Sequence, residues 1–357
     1  MTSSHDNLID DTLAYRFIEV MLATRTSEGA SPLPDFTAAL DRLARQSLGG
    51  PVIDLKVLTG GASQELWSFD AGGRGLVLRR LPPAHRFENM ATIPLEHEAA
   101  IIRAVEVAGV PVAPVVHVLA PNDGVGRGFI AHRMPGEALG RRVVDHPDFA
   151  GIRPHLAAAC GKILAGIHGV DTRHLPELAS VSPAASIDLL ERQLRDFGEP
   201  RPVFEAALVW LRRHCPDTSP PALVHGDFRT GNFLLEPDGI SAILDWEACH
   251  FGDPVEDLGW LSMPVWRFGR LDRPVGGFGQ HADLLAAYAS AGGRMVEPDR
   301  LRFWEVRGML RWGLTCMAMA FAFASGNRSL ERAAVGRRSS EAEIELLYAM
   351  TGEGGRA

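Results

Sequence analysis

Lysine is almost missing from this 357-residue chain: of its 36 basic residues only Lys56 and Lys162 are lysines. Arginine must therefore do nearly all the cationic work, although Arg-for-Lys usage beside abundant Ala and Gly is also what coding bias produces. Cysteine is scarce too. Cys160, Cys215, Cys249 and Cys316 are scattered without a Cys-x-x-Cys pair, which reads as reduced thiols of a cytoplasmic protein. The longest apolar stretch, Trp312 to Ala324 beside Arg311, is too short to span a bilayer and reads as a buried helix. The N-terminus carries His5, Asp6, Asp10 and Asp11 where a signal peptide needs a basic start and an apolar run. A net charge of −8 argues against a nucleic-acid partner. Internal repeats and low-complexity segments are lacking as well. What remains, 46% apolar and 22% charged residues, is the composition of a soluble globular protein long enough for two lobes.

Against that background one segment stands out. His225-Gly226-Asp227-Phe228-Arg229-Thr230-Gly231-Asn232 is followed by Ile243-Leu244-Asp245-Trp246-Glu247. Leu223-Val224 and Ile243-Leu244 lead into the two aspartates, so each polar group ends a short buried strand. Pro237-Asp238-Gly239 between them is a turn signal. The resulting hairpin brings Asn232 and Asp245 together, and an amide oxygen beside a carboxylate is a hard-oxygen set suited to Mg²⁺ on phosphates. Asp227 lies just upstream, where it can accept a proton from an attacking hydroxyl. These are the parts of phosphoryl transfer, in which positioning and charge neutralisation carry most of the catalysis.

The same residues resemble the aminoglycoside phosphotransferase-like kinases, whose loop reads His-Gly-Asp with Asn five residues after the Asp and a metal-binding Asp-Trp or Asp-Phe further on. Gly252-Asp253-Pro254-Val255-Glu256-Asp257-Leu258 continues the likeness. Val224 to Arg229 and Trp266-Arg267-Phe268-Gly269 look closest to a branch related to kinase domains fused to acyl-CoA dehydrogenases. The likeness runs from about residue 50 to the C-terminus. It implies an α+β, protein-kinase-like fold with a small antiparallel sheet lobe and a larger helical lobe, using ATP and Mg²⁺. By resemblance Asp227 is the catalytic base or the group that orients the hydroxyl, Asn232 and Asp245 bind the metal, and His225 is structural, with its ring bonded to backbone near the metal loop. Asp257 is expected to bond the backbone of the Asp227 loop. Arg229 either neutralises the transferring phosphoryl group or forms a salt bridge to Glu247 or Asp253.

Three regions are expected: a helical extension over 1–48, a nucleotide-binding lobe over 49–134, and a lobe over 135–357 carrying the catalytic loop and acceptor site. Val52–Leu58, Glu65–Phe69, Leu76–Arg79, Val115–Leu119 and Phe129–Met134 read as strands, and Leu95–Ala108 has helical spacing. Helical runs also cover Pro154–His168 and Ala184–Phe197 and begin again at Gln280, Pro298 and Arg338. Gly60-Gly61-Ala62-Ser63 makes a turn that lets backbone N–H groups approach phosphate. The resemblance puts Arg79 where the family has its phosphate-binding lysine and Glu98 as its helix partner; Arg80 is expected on the opposite face, solvated. It also places His132 and Met134 at an adenine-binding hinge.

The acceptor pocket is expected after Trp260, from Trp266, Trp304, Arg307 and Arg311. Nine arginines against four acids between Arg294 and Ser340 favour an anionic acceptor; a core edge of paired guanidiniums is the competing reading. The resemblance implies a hydroxy acid or hydroxyacyl-CoA as the small-molecule acceptor. An aminoglycoside or amino-alcohol kinase and a nucleotide-binding pseudokinase are the alternatives. The sequence does not give the oligomeric state.

Overall fold

Along the central strand of the sheet, Arg74–Leu81, buried and partly exposed residues alternate. β2 (Glu65–Ala71) and β3 (Arg74–Leu81) join through Gly72-Gly73, whose φ values of +56° and +73° suit glycine in a two-residue hairpin. β1 (Ile53–Val57), β4 (Val115–Val118) and β5 (Arg127–His132) complete an antiparallel sheet in the order β1-β2-β3-β5-β4. The computed structural model describes residues 34–58, 64–81, 92–326 and 329–351. The expected helix around Leu13 to Met21 and the Gly60-Gly61-Ala62-Ser63 turn lie outside the described residues.

Each face of the sheet has its own cover. Trp67, Phe69, Leu76, Leu78 and Ile130 pack against Phe36, Leu40 and Leu43 of α1 (Pro34–Leu43). Phe129 and Ala131 face α2 (Leu95–Val107) and join the core of the second lobe. Arg80 follows the strand alternation to the α1 face, as expected, but it is not solvated. That face is roofed by α1, so Arg80 is buried, with its guanidinium 3.5 Å from the Phe36 ring centroid and bonded to Glu65 and the Val125 carbonyl.

The second lobe is largely helical: α3 (Gly140–Asp145), α4 (Leu156–His168), α5 (Pro183–Phe197) and α6 (Pro202–Arg213) precede two pairs of short strands. β6 (Ala222–Val224) pairs with β9 (His250–Gly252), and β7 (Phe233–Glu236) pairs with β8 (Gly239–Ile243). α7 (Val255–Leu261), α8 (His281–Ser290), α9 (Pro298–Ala324), α10 (Leu330–Gly336) and α11 (Ser339–Thr351) follow. The sequence reading missed α3, α6, α7 and α10; α6 does carry an apolar stripe of Phe204, Ala207, Leu208 and Leu211, whereas α7 is seven residues buried on every side, so no amphipathic stripe marks it. The Trp312–Ala324 stretch is the C-terminal half of α9 and buries only one face, since Phe321 is 45% exposed. Among the described residues no helix is long and apolar enough to cross a membrane. The β7–β8 hairpin is pinned to the first lobe at one end and to the segment that follows β5 at the other. The Ile243 N–H donates to the Pro111 carbonyl at 2.8 Å, and Glu137 exchanges backbone bonds with Leu235 at 2.8 and 3.0 Å.

Candidate active site

The loop from His225 to Asn232 leaves β6 and turns its carboxylate, Asp227, into a ring of donors. Asn232 Nδ2 donates to Oδ2 at 2.6 Å, Trp260 Nε1 donates to Oδ1 at 2.6 Å, and Arg229 Nε reaches both oxygens at 3.1 and 3.2 Å. A carboxylate offers about four lone-pair sites, and the Asp227 side chain is still 21% exposed, so one edge remains for a ligand hydroxyl. The pairing of β7 and β8 sets the strand ends that carry Asn232 and Asp245 side by side: Phe233 stands opposite Ile243, and the Leu244 N–H donates to the Asn232 carbonyl at 2.7 Å. Asp245 itself sits at φ +65°, a left-handed backbone that a non-glycine residue adopts at a cost of order 1 kcal/mol.

A second cluster gathers around Arg79 on β3. Its guanidinium contacts Glu247 at 2.6 Å, Glu98 at 3.3 Å and Asp245 at 3.4 Å, while its Nε donates to Gln64. Burial works against the Arg79 charge, but the three carboxylates outweigh it and its pKa stands above the ordinary value. One cation cannot balance three acids. Burial pushes Glu98 up to about 7 against the pull of Arg79, with Glu247 and Asp245 adding to the rise. Burial and then Asp245 also raise Glu247. Glu98 Oε2 is buried without a hydrogen-bond partner among the described residues, as a neutral carboxyl tolerates far better than a carboxylate.

Behind the loop, Asp257 accepts from the N–H groups of His225 and Gly226 at 2.8 and 2.9 Å. The His225 ring donates from Nε2 to the Leu244 carbonyl at 3.1 Å and accepts the Asp227 N–H at Nδ1, which ties the loop to the Asp245 strand. His168 on α4 bridges Asp257 to the Tyr288 hydroxyl at 3.1 and 2.9 Å. Arg311 closes the ring from α9: Nη1 donates to the Gly226 carbonyl at 2.8 Å, and its guanidinium lies 4.5 Å from the Trp260 centroid.

Of the residues picked as an acceptor pocket, two stay beside Asp227 and two do not. Trp266 lies under the Arg229 guanidinium at 4.4 Å, with its indole N–H buried and without a partner among the described residues. Arg311 is placed as above. Trp304 is buried and donates to Asp253 at 2.9 Å, and Arg307 is buried and bonded to Glu256 at 2.8 Å. Burial opposes the Glu256 charge, but Arg307 and His250 outweigh it and hold that carboxyl down to about 2. These two residues are core contacts between α9 and α7, so the pocket assignment is corrected for both. The arginine excess of this region is likewise spent internally, on Asp253 by Arg300 and on the Ala349 and Met350 carbonyls by Arg302. The salt bridge expected between Arg229 and Glu247 or Asp253 is not the one formed: Arg229 pairs with Asp227 itself. His132 spends its N–H on the Pro114 carbonyl at 2.9 Å, and Met134 follows it half-buried at the exit from β5.

Trp260 and Glu247 were missed as site residues. Trp260 had a legible signal, since it lies three residues after Asp257 and so shares its helix face. Glu247 had one as well: a third acid two residues after Asp245, leaving a strand end, had to meet a cation or solvent.

The sequence pattern of the phosphotransferase enzyme family matches residues 54–304. Acyl-CoA dehydrogenase family member 10 of Mus musculus is 28% identical over 247 residues, covering 64% of this chain and 22% of that protein. The chain thus spans about a fifth of that relative's length. A crystal structure from Ralstonia eutropha JMP134, of a protein proposed to be an aminoglycoside phosphotransferase, superposes with a TM-score of 0.69 at 22% identity, covering 88% of this chain and 98% of that one. A thermostable mutant of aminoglycoside phosphotransferase APH(4)-Ia, in ternary complex with ADP and hygromycin B, gives 0.59 at 16% identity, covering 89% and 99%. These structures share the two-lobed α+β fold expected from the sequence.

Proposed function

This chain belongs to the phosphotransferase enzyme family, and from that premise we propose that it transfers a phosphoryl group from ATP to the hydroxyl of an anionic small molecule, a hydroxy acid or hydroxyacyl-CoA. The observation that carries the reading is the pairing of Asp227, in its ring of donors, with Asn232 and Asp245 on one hairpin. Residues 49–134 form the nucleotide lobe in this reading, and 135–357 the catalytic and acceptor lobe.

Asp227 accepts the hydroxyl proton and aims the oxygen. Asn232, Trp260 and Arg229 fix its two oxygens, so no reorganisation is needed when the acceptor arrives. The donor set fits Mg²⁺: an amide oxygen and a carboxylate are hard ligands, and the acid surplus around Arg79 favours an added cation. Among the described residues no three His, Cys, Asp or Glu side chains form a metal cage, in keeping with a metal that arrives on nucleotide phosphates and keeps most of its waters. Asn232 and Asp245 would hold that ion, which would supply charge neutralisation along the phosphates. Arg79 then grips phosphate and Glu98 with the planar fork that lysine lacks.

The acceptor class draws support from the likeness to acyl-CoA dehydrogenase family member 10 and from Arg229 beside the base. One contact favours a second reading. Arg79 reaches Asp245 at 3.4 Å and could occupy the metal's place, as in a nucleotide-binding module without turnover. ADP release against a panel of hydroxyacyl-CoAs, hydroxy acids, amino alcohols and sugars tests both: release with an acidic acceptor supports transfer, and saturable ATP binding with no release on any acceptor supports the module.

A further inference from the structure

A cavity of about 260 Å³ lies outside the residues discussed so far, between the turn at Arg153 and the loop running from Arg270 to Phe278. Three guanidiniums (Arg153, Arg270, Arg273) and one carboxylate (Asp272) line it, in a chain whose net charge is −8. Arg270 reaches Asp145 at 2.9 Å and Arg273 reaches Asp272 at 3.3 Å, but both arginine side chains are about half exposed, at 51% and 50%. Exposed pairs of this kind hold each other weakly, so an incoming oxyanion can take over their donors. Arg153 is different: Nε and Nη2 donate to the Val143 and His146 carbonyls at 3.1 and 2.7 Å. Those bonds fix the side chain without neutralising it.

The cavity is also coupled to the catalytic loop. Gly277 and Phe278 form part of its wall. The preceding residue, Gly276, accepts the Thr230 hydroxyl at 3.2 Å, and a Cβ there would stand 2.7 Å from that oxygen. Phe278 packs on Phe233 with centroids 6.4 Å apart. One loop therefore walls the cavity on one side and holds the segment between Asp227 and Asn232 on the other. The volume falls just short of the roughly 300–1,000 Å³ that encloses a whole drug-sized ligand, which suits one end of a longer molecule.

We propose that this cavity is an oxyanion subsite that binds the phosphate- or carboxylate-bearing end of the acceptor while its hydroxyl lies at Asp227. The presence of an oxyanion site stands on the cavity alone; its ownership by the acceptor rests on the function proposed above. Inorganic pyrophosphate is the probe, titrated into the full chain at fixed ionic strength with ADP present to cover the nucleotide site. The wild type should bind it saturably, and Arg270→Gln/Arg273→Gln should bind at least ~10-fold more weakly with an unchanged melting temperature. Arg153 is left in place because its bonds shape the turn. Equal affinity in wild type and variant, or no saturable binding to the wild type, overturns the subsite.

In turnover assays with a hydroxyacyl-CoA, pyrophosphate should raise KM and leave kcat alone, and the double variant should do the same. A fall in kcat without competition would mark a separate anionic effector and overturn the assignment to the acceptor. Retained pyrophosphate binding with no turnover on any acidic acceptor would sink the proposed acceptor class while leaving the subsite standing.

Discussion

Two charge clusters share the cleft, and they are built in opposite ways. At Arg79 one guanidinium is met by three carboxylates, Glu98, Asp245 and Glu247. At Asp227 one carboxylate is met by three donors, Asn232, Trp260 and Arg229. The first carries surplus negative charge and answers it by keeping a carboxyl raised to about 7 at Glu98. It is poised to change when a cation or phosphate arrives. The second has donors on both oxygens with one edge left open and is braced from behind by Asp257 and Arg311, so it is poised to stay put. A site that binds a charged, exchanging ligand needs the first arrangement, and one that aims a hydroxyl needs the second.

The largest effect should come from emptying the second cluster of its charge. Asp227→Asn should lower kcat by about 10²–10⁴-fold, the usual worth of a positioned base, and leave nucleotide affinity within error by calorimetric titration. Near-wild-type turnover would remove Asp227 from the chemistry. Arg79→Ala comes next: it should lose at least about tenfold in kcat/KM, with Arg79→Lys recovering part, because the cluster needs a cation but its geometry suits a fork. Greater damage from Arg80→Ala would show that folding of the α1 face, rather than the cleft, had been measured.

Trp260→Phe separates the clusters further. It removes a hydrogen bond to a charged oxygen, worth roughly 1.5–3 kcal/mol, so kcat should fall about 10- to 100-fold while nucleotide KM holds. A shift in nucleotide KM with constant kcat would contradict the division of labour. The smallest effect concerns pH. Glu98 and Glu247 are raised above their usual 4.5, both to about 7. A folded-state pKa above the unfolded one gives stability that is full below the unfolded value and is lost as pH rises through the folded one. The wild-type melting temperature should therefore decline from pH 5 to 7 relative to Glu98→Gln, and a difference of the opposite sign would refute the surplus-charge account.

The sequence made the hairpin legible because strand alternation, a Pro-Asp-Gly turn and fixed spacing are local signals. The same logic placed Arg79 and Arg80 on opposite faces, yet whether a face is wet depends on what covers it, and α1 comes from far upstream. Trp304 and Arg307 show the limit again. Their helical spacing gave a shared face, but only the packing of α9 on α7 decided that the face was core. Arg153, Arg270 and Arg273 carried no motif at all: they meet because a turn after α3 and a loop after α7 fold against each other.

The measurement that bears most directly on the account is the detection of product. Purified protein would be incubated with γ-labelled ATP, Mg²⁺ and a hydroxyacyl-CoA, and both ADP and phosphorylated acceptor quantified. The account predicts phosphoester and ADP in equal amounts from the wild type, and neither above background from Asp227→Asn, whose nucleotide binding is retained. Saturable ATP binding by the wild type with no phosphoester on any hydroxyl acceptor would contradict it.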